Sequence, residues 1–395
     1  MGTTAEPDLS SLLAQIHSLG GNASSTEKKQ LRLAALKLHR ALEEPGDIVE
    51  RVCFQYLETA SIRIAIDLNL FDVLVKSDEP LTCDALAKLT KADPVLLGRI
   101  LRSLESTGAI GVVGEIGNEA YVPTGTTRTF IIPPLAAGLE FCFDCLSPNW
   151  HELPSHLAKN KYQNPTDAMN AAIQGAWNTK DHFIQFLSTK PAFQRSFQMY
   201  MSGFDEGRGS WMEFYPVEKE LASGAKQDKD AIMFVDVGGG LGHEAAAVKN
   251  RFPDLPGRFV VQELPHVISE IKFDGIEAMA HDFFTSQPLK GARAYYLRYI
   301  LHDWNDERSH EILTHLREAM DPAYSKILIN QWVIPTRHAT PLMVHQDLNM
   351  MATFAAMERT EQETRDLLDK AGLKISRIYY PPDEASECIV EAVAK

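Results

Sequence analysis

Apolar residues fall at helical spacing on a polar background through the first 45 positions: Leu9, Leu12, Leu13 and Ile16, then Leu31, Leu33, Leu36 and Leu38. Gly20-Gly21-Asn22 breaks this pattern and Pro45-Gly46 stops it, so two amphipathic helices are predicted. With no core of their own, residues 1–45 are expected to serve an interface. Three more helices are predicted at 61–70, at 85–89 behind Thr82-Cys83-Asp84, and at 95–107 behind Asp93-Pro94. Gly108-Ala109-Ile110-Gly111 then opens a short hairpin with its tip near Gly117-Asn118, which gives 46–130 the outline of a winged helix. Residues 131–215 return to helical spacing with many aromatics, broken at Pro133-Pro134, Asn164-Pro165 and Lys190-Pro191. Gly203 to Gly209, with Asp205, Glu206 and Arg208 between, reads as the loop into the last domain.

From about residue 226 the pattern changes to alternating strands and helices. Strands are predicted at 233–237, 257–263, 294–299, 326–332, 375–379 and 388–392, with helices from 243, at 306–320 and at 360–371. This alternation implies an α/β class for 216–395: a Rossmann-like, mostly parallel sheet covered on both faces, preceded by the mainly helical winged-helix part. Ligands on such sheets lie beyond the carboxyl ends of the strands.

At 395 residues the chain has room for two or three domains, and 45% apolar with 23% charged residues is ordinary for a globular protein. A formal charge of -14 opposes polyanionic partners. It therefore turns the winged-helix outline from DNA recognition towards dimerisation, since the relevant helices carry only Lys88, Lys91, Arg99 and Arg102, beside Asp84, Asp93 and Glu105. Five scattered cysteines argue for reduced thiols, and Cys142-x-x-Cys145 lacks a second pair or a nearby His at zinc spacing, so core packing is expected there and no metal. No run approaches the roughly 18 apolar residues of a membrane span, and no secretory pattern opens the chain; a cytoplasmic protein is expected. Met1-Gly2 is not followed by the Ser or Thr of a myristoylation signal, since position six is Glu6.

The candidate chemistry begins at residues 232–242, a buried strand running into Gly238-Gly239-Gly240-Leu241-Gly242. Glycine is needed where a chain turns sharply off a strand and a ligand approaches its backbone. Glu263, at the end of the next strand, is placed to accept from both hydroxyls of a ribose. A dinucleotide turn wants G-x-G-x-x-G, but position 243 is His and the third glycine comes one residue early, at Gly242. That spacing suits S-adenosylmethionine better. Asp282-Phe283 offers a carboxylate for an adenine amino group and a ring to stack on the base, and Arg298 closes a strand where it could pair with a methionyl carboxylate.

Leu301-His302-Asp303-Trp304 follows, on the turn into a helix that Asp306 and Glu307 would cap. Methyl transfer needs the acceptor oxygen held in line and its proton removed. A phenol titrates near about 10 and imidazole near about 6.5, so His302 is a usable base provided a carboxylate stabilises the imidazolium. Aromatic and apolar residues of 131–215, among them Trp177, His182, Phe183, Phe186, Phe193, Phe197, Tyr200, Met201 and Trp211, are expected to form core and, in part, a pocket wall. Trp177, Phe183, Phe186 and Met201, with Gln331, are the candidate substrate contacts.

Val-Asp236-Val-Gly238-Gly239-Gly240-Leu-Gly242, Glu263-Leu-Pro, Asp282-Phe283, Leu-Arg298-Tyr-Ile-Leu-His302-Asp303-Trp and Met-Glu358-Arg-Thr resemble the motifs of the plant caffeate-type small-molecule O-methyltransferases and, more closely, their fungal secondary-metabolite relatives. The likeness runs over nearly the whole chain. It implies a homodimer that uses S-adenosyl-L-methionine and releases S-adenosyl-L-homocysteine, with Asp236 and the four glycines in the cofactor turn, Glu263, Asp282, Phe283 and Arg298 as further cofactor contacts, His302 as base, and Asp303 and Glu358 beside it. The plant enzymes flank this His with two glutamates; Glu358 matches the second, whereas Gln331 stands at the first. A neutral amide can orient an imidazole but cannot offset its charge. The expected reaction is methylation of a phenol or enol on an aromatic or polyketide-like small molecule. A cyclase or pericyclase that holds the cofactor without transferring its methyl is the alternative, and a winged-helix regulator is disfavoured by charge.

Overall fold

The computed structural model describes residues 18, 23–203, 209–269, 271, 273–382 and 387–395. The predicted helix over Leu9–Ile16 and the loop residues Asp205, Glu206 and Arg208 lie outside the described residues. The chain divides into two compact units, the first ending at Phe130 and the second running from Ile131 to Lys395.

In the first unit, helix α1 (Ser25–Leu42) starts at a capping box in which Ser24 and Glu27 satisfy each other's free backbone donors. Pro45, read in the sequence as a stop, instead opens the long helix α2 (Pro45–Asp67), because a proline in a first helical turn loses no hydrogen bond. Helices α3 (Leu70–Lys76), α4 (Cys83–Thr90) and α5 (Pro94–Ser106) follow, α4 and α5 capped by the side chains of Thr82 and Asp93. Their apolar stripes supply Leu74, Leu86, Leu97, Leu101 and Leu104, all buried. Strands β1 (Leu81–Thr82), β2 (Ile110–Val113) and β3 (Ala120–Pro123) pair in the order β1-β3-β2, completing the winged-helix outline.

The second unit opens with helices α6 (Pro133–Phe141), α7 (Ser147–Lys159), α8 (Ala172–Trp177), α9 (Phe183–Ser188) and α10 (Pro191–Ser202); aromatic residues of α6, α8, α9 and α10 pack into one cluster with Met350 and Phe354. A π-helical turn, Cys142–Leu146, joins α6 to α7. Burial pushes the Cys142 and Cys145 thiols up to about 11 and about 12, and both stay protonated.

Strands β4 (Ile232–Val237), β5 (Arg258–Glu263), β6 (Ile276–Ala280), β7 (Ala294–Arg298), β8 (Lys326–Gln331), β9 (Leu373–Tyr379) and β10 (Cys388–Ala394) make a sheet in the order β6-β5-β4-β7-β8-β10-β9. The first five are mutually parallel. The closing pair makes the sheet mostly rather than wholly parallel, as expected, because β10 runs antiparallel to both β8 and β9. Among the elements that escaped the periodicity are an edge strand and a long helix. β6 is an edge strand with only partial burial, and helix α13 (Pro341–Phe354) buries Met343, Asn349, Met350, Ala352, Thr353 and Phe354 without a clean polar face. Helices α11 (His243–Arg251), α12 (Asp306–Ala319) and α14 (Glu361–Lys370) were legible. Sheet order reverses direction at β4, so a crevice is expected beyond the carboxyl ends of β4 and β7.

Candidate active site

The glycine turn closes β4. Gly238, Gly240 and Gly242 have φ of 69°, 54° and 85°, a left-handed conformation that favours glycine. Gly239 is constrained differently: a Cβ there would fall on the Asp236 carboxylate, its Oδ2 2.6 Å away. Gly238 packs so tightly that a Cβ would lie 2.6 Å from Ile300 and 3.4 Å from the Phe283 ring, which brings three strand ends together. Gly238 and Gly239 donate to the Gln262 carbonyl at 2.8 and 3.2 Å, and Gly240 donates to Glu263 Oε2 at 3.2 Å. Glu263 Oε1 accepts from the Leu264 amide at 2.7 Å, so both its oxygens are oriented by backbone. His281 N–H donates to the Glu263 carbonyl at 3.0 Å, which sets Asp282 and Phe283 beside that strand end. Asp282 Oδ1 accepts from the Phe284 amide at 3.0 Å.

Asp236 lies beneath the turn, 1% exposed, and its Oδ2 has no hydrogen-bond partner. Burial and, next, the nearby Glu244 carboxylate raise it to about 8, so it carries a proton at neutral pH. Glu244, on the first turn of α11, was not singled out in the sequence. It receives Arg298 Nη1 at 2.5 Å, Trp211 Nε1 at 2.8 Å and the Tyr296 hydroxyl at 3.4 Å. The guanidinium expected to meet a ligand carboxylate is thus held by an internal one. No spacing rule could find Glu244, because its partner lies 54 residues away on another strand.

At the end of β7 the chain passes through Tyr299, φ 52°, into the short turn Leu301–Asp303. His302 is 6% exposed. Its Nδ1 lies 2.6 Å from Glu358 Oε1 and its Nε2 3.4 Å from Asp303 Oδ1. The Tyr299 ring lies against the imidazole, centroids 5.1 Å apart. Burial depresses the imidazole, but the Glu358 and Asp303 carboxylates outweigh it and hold the group at about 9. Asp303 is itself pushed up to about 6 by burial, against the pull of His302. The cap of α12 is Asn305, whose Oδ1 accepts from the Arg308 amide at 2.9 Å; Asp306 and Glu307 occupy the first turn instead.

Gln331 ends β8 and is 1% exposed, with its side-chain oxygen unpartnered. Phe183 and Phe186 are buried in the aromatic cluster, where Trp177 packs on Phe186 with centroids 5.2 Å apart. Met201 is 41% exposed on α10. His182, the cap of α9, lies parallel to Trp304 at 5.5 Å and links the aromatic helices to the His302 turn. A cavity of about 760 Å³ opens elsewhere, lined by Arg337, His338, Glu361 and Tyr380 among others, and none of the predicted site residues lines it.

Comparison with known proteins places the chain in a family. An O-methyltransferase domain matches residues 226–374 and an O-methyltransferase dimerisation domain matches residues 50–132. The methyltransferase cfoC of Aspergillus candidus is 40% identical over 96% of this chain and 98% of its own length. Demethylsterigmatocystin 6-O-methyltransferase of Aspergillus flavus is 34% identical over 98% of each chain. Among solved structures, LepI in complex with S-adenosylmethionine superimposes with a TM-score of 0.90 at 31% identity, covering 98% of this chain and 99% of LepI. OxaC in complex with sinefungin and meleagrin gives 0.83 at 26% identity over 97% of each. The chain belongs to the class I S-adenosylmethionine-dependent O-methyltransferases, in their fungal secondary-metabolite branch. Its fold is the Rossmann-like domain of that class with a helical dimerisation domain in front, and its cofactor is S-adenosylmethionine.

Proposed function

We propose that this enzyme methylates a phenolic or enolic hydroxyl of an aromatic or polyketide-like secondary metabolite, with His302 as general base. The observation that carries the reading is the 2.6 Å contact between His302 Nδ1 and Glu358 Oε1, buried at the sheet's carboxyl edge. In the neutral imidazole Nδ1 would donate to Glu358, which leaves the Nε2 lone pair to receive a proton. Once charged, the imidazolium faces a carboxylate on each side, so Gln331 need not supply the missing charge.

The residues fit S-adenosylmethionine on the ground of their own geometry. Asp236 packs against Gly239 from beneath the turn, Gly240 has nothing within 4 Å of where a Cβ would be, and Glu263 presents two oriented oxygens beside that turn. Asp236, Gly238, Gly239, Gly240, Gly242 and Glu263 would hold the nucleoside side, Asp282 and Phe283 the base, and Arg298 the far end through Glu244. When bound, the cofactor supplies a methyl group on a sulfonium, an electrophile that needs no further activation. The chain's part is to hold the acceptor oxygen in line and take its proton at Nε2. Trp177, Phe183, Phe186, Met201 and Gln331 are proposed as the acceptor's surroundings. We also assign the segments 1–45 and 46–130 to dimerisation, 131–215 to the substrate side and 216–395 to catalysis. Ile48, Val49, Val52, Phe54 and Leu57 of α2 are exposed, as a homodimer contact would require.

A second reading has its own support. A solved structure described as a pericyclic reaction enzyme superimposes with a TM-score of 0.90 at 31% identity, and a histidine that keeps its proton up to about 9 is a better hydrogen-bond donor than a base at neutral pH. Incubation with a methyl-labelled donor and a panel of phenols, tetramic acids and pyridones, followed by mass analysis, separates the two. Labelled product supports transfer; a product of unchanged mass supports cyclisation or rearrangement.

A further inference from the structure

Arg359 is fully buried and follows Glu358 directly, yet the proposed reaction gives it no part. Its guanidinium points into the turn that carries the base. Nη1 donates to the Leu301 carbonyl at 2.7 Å, Nη2 to the Trp304 carbonyl at 2.9 Å and to Ser309 Oγ at 3.3 Å, and Nε to Asp306 Oδ1 at 2.9 Å. The two carbonyls bracket His302 and Asp303. Ser309 repeats the clamp from the helix side, its hydroxyl lying 3.2 Å from each of the same carbonyls. Arg359 is itself anchored to the sheet, since its carbonyl accepts from the Ile334 amide at 3.0 Å, just beyond β8. The Glu358 amide donates to Asp347 Oδ1 at 2.9 Å, which ties the same segment to α13.

We propose that Arg359 is a positioning residue for the base: it locks the turn 301–304 to the segment that bears Glu358, so that the Nδ1–Oε1 contact keeps its length while the acceptor is held. The argument is one of connectivity. His302 comes from the end of β7 and Glu358 from the loop after α13, and the sheet alone does not fix their separation. One planar fork gripping two carbonyls of the His302 turn, from the residue next to Glu358, does fix it. A lysine carries the same charge but cannot span both carbonyls and Asp306.

The inference rests on the proposed role of His302, and the test keeps the two apart. Arg359→Lys is compared with the natural protein in the S-adenosylhomocysteine complex, following the His302 ring by NMR and assigning it by its loss in His302→Gln. Glu358, Asp303 and Arg359 are the charged groups that face this ring, and Lys preserves the charge, so a shift reports geometry. We expect the titration midpoint to move down towards the ordinary 6.5, S-adenosylhomocysteine affinity to stay within about twofold by calorimetry, and kcat on any acceptor found by the mass assay to fall by about a hundredfold. A lower melting temperature with unchanged midpoint and kcat would make Arg359 merely structural and overturn the proposal. Should Arg359→Lys not fold, Ser309→Ala, which removes the hydroxyl that repeats the clamp without changing any charge, gives the same comparison at smaller amplitude, and an unmoved His302 midpoint there also overturns it. If no acceptor is methylated but the midpoint still moves, the reaction assignment fails and the positioning role stands.

Discussion

Each chemical group at this site is defined by what its neighbours do to its proton. His302 is buried, which alone would make it a weak base, and the Glu358 and Asp303 carboxylates reverse that to about 9. Glu358→Gln keeps an acceptor for Nδ1 but removes the charge. The pH at which kcat/KM is half-maximal should therefore move down, and the plateau rate at high pH should fall; a stopped assay across pH 6 to 10 checks both, and an unchanged profile would remove Glu358 from the mechanism. Asp236 is the opposite case, a carboxyl kept neutral by burial under the glycine turn. Gly239→Ala would force that side chain aside, and Glu263→Ala would remove the oxygens that orient the turn. Each is expected to weaken S-adenosylhomocysteine by at least roughly tenfold in calorimetry, the worth of about 1.4 kcal/mol, with His302 titration left in place.

Elements decide which of these residues can meet. The strand-turn-helix from Ile232 to Arg251 was legible because a continuous apolar run followed by glycines has few other solutions. The His302 turn was legible from its place after a strand. Glu244, Arg359 and the α13 helix were not: the first two are ordinary charged residues whose partners are distant in sequence, and α13 is apolar on too many sides to show a stripe. The antiparallel β9 and β10 pair was seen as two strands but not as a reversal, since alternation of strands alone does not encode direction. Pro45 shows the local ambiguity of proline, which ends one helix pattern and starts the next. Asn305 caps the helix directly behind the His302 turn. Asn305→Ala should cost about 1 kcal/mol of stability, measured by denaturant unfolding, with little change in cofactor affinity; a large loss of affinity would mean that α12 does more than support the turn.

Across the whole molecule the raised groups act together on stability. His302 gains affinity for its proton on folding, from 6.5 to about 9, so the stability it adds is fully present below 6.5 and is lost as pH rises through about 9. Asp236, raised from 3.8 to about 8, works in the same direction over a lower window. The melting temperature of the ligand-free enzyme should fall between pH 6.5 and 9, and His302→Gln should flatten that slope. The winged-helix unit matches an O-methyltransferase dimerisation domain over residues 50–132, which assigns this part of the chain to pairing rather than to the chemistry. What unites these scales is the claim that one imidazole takes the acceptor's proton while a separate glycine turn holds the methyl donor. Turnover and S-adenosylhomocysteine binding measured side by side in His302→Gln test it most directly. Methyl transfer should fall by about 10²–10⁴-fold, the usual worth of a positioned base, with binding unchanged within about twofold; a variant that methylates at the natural rate would contradict the account.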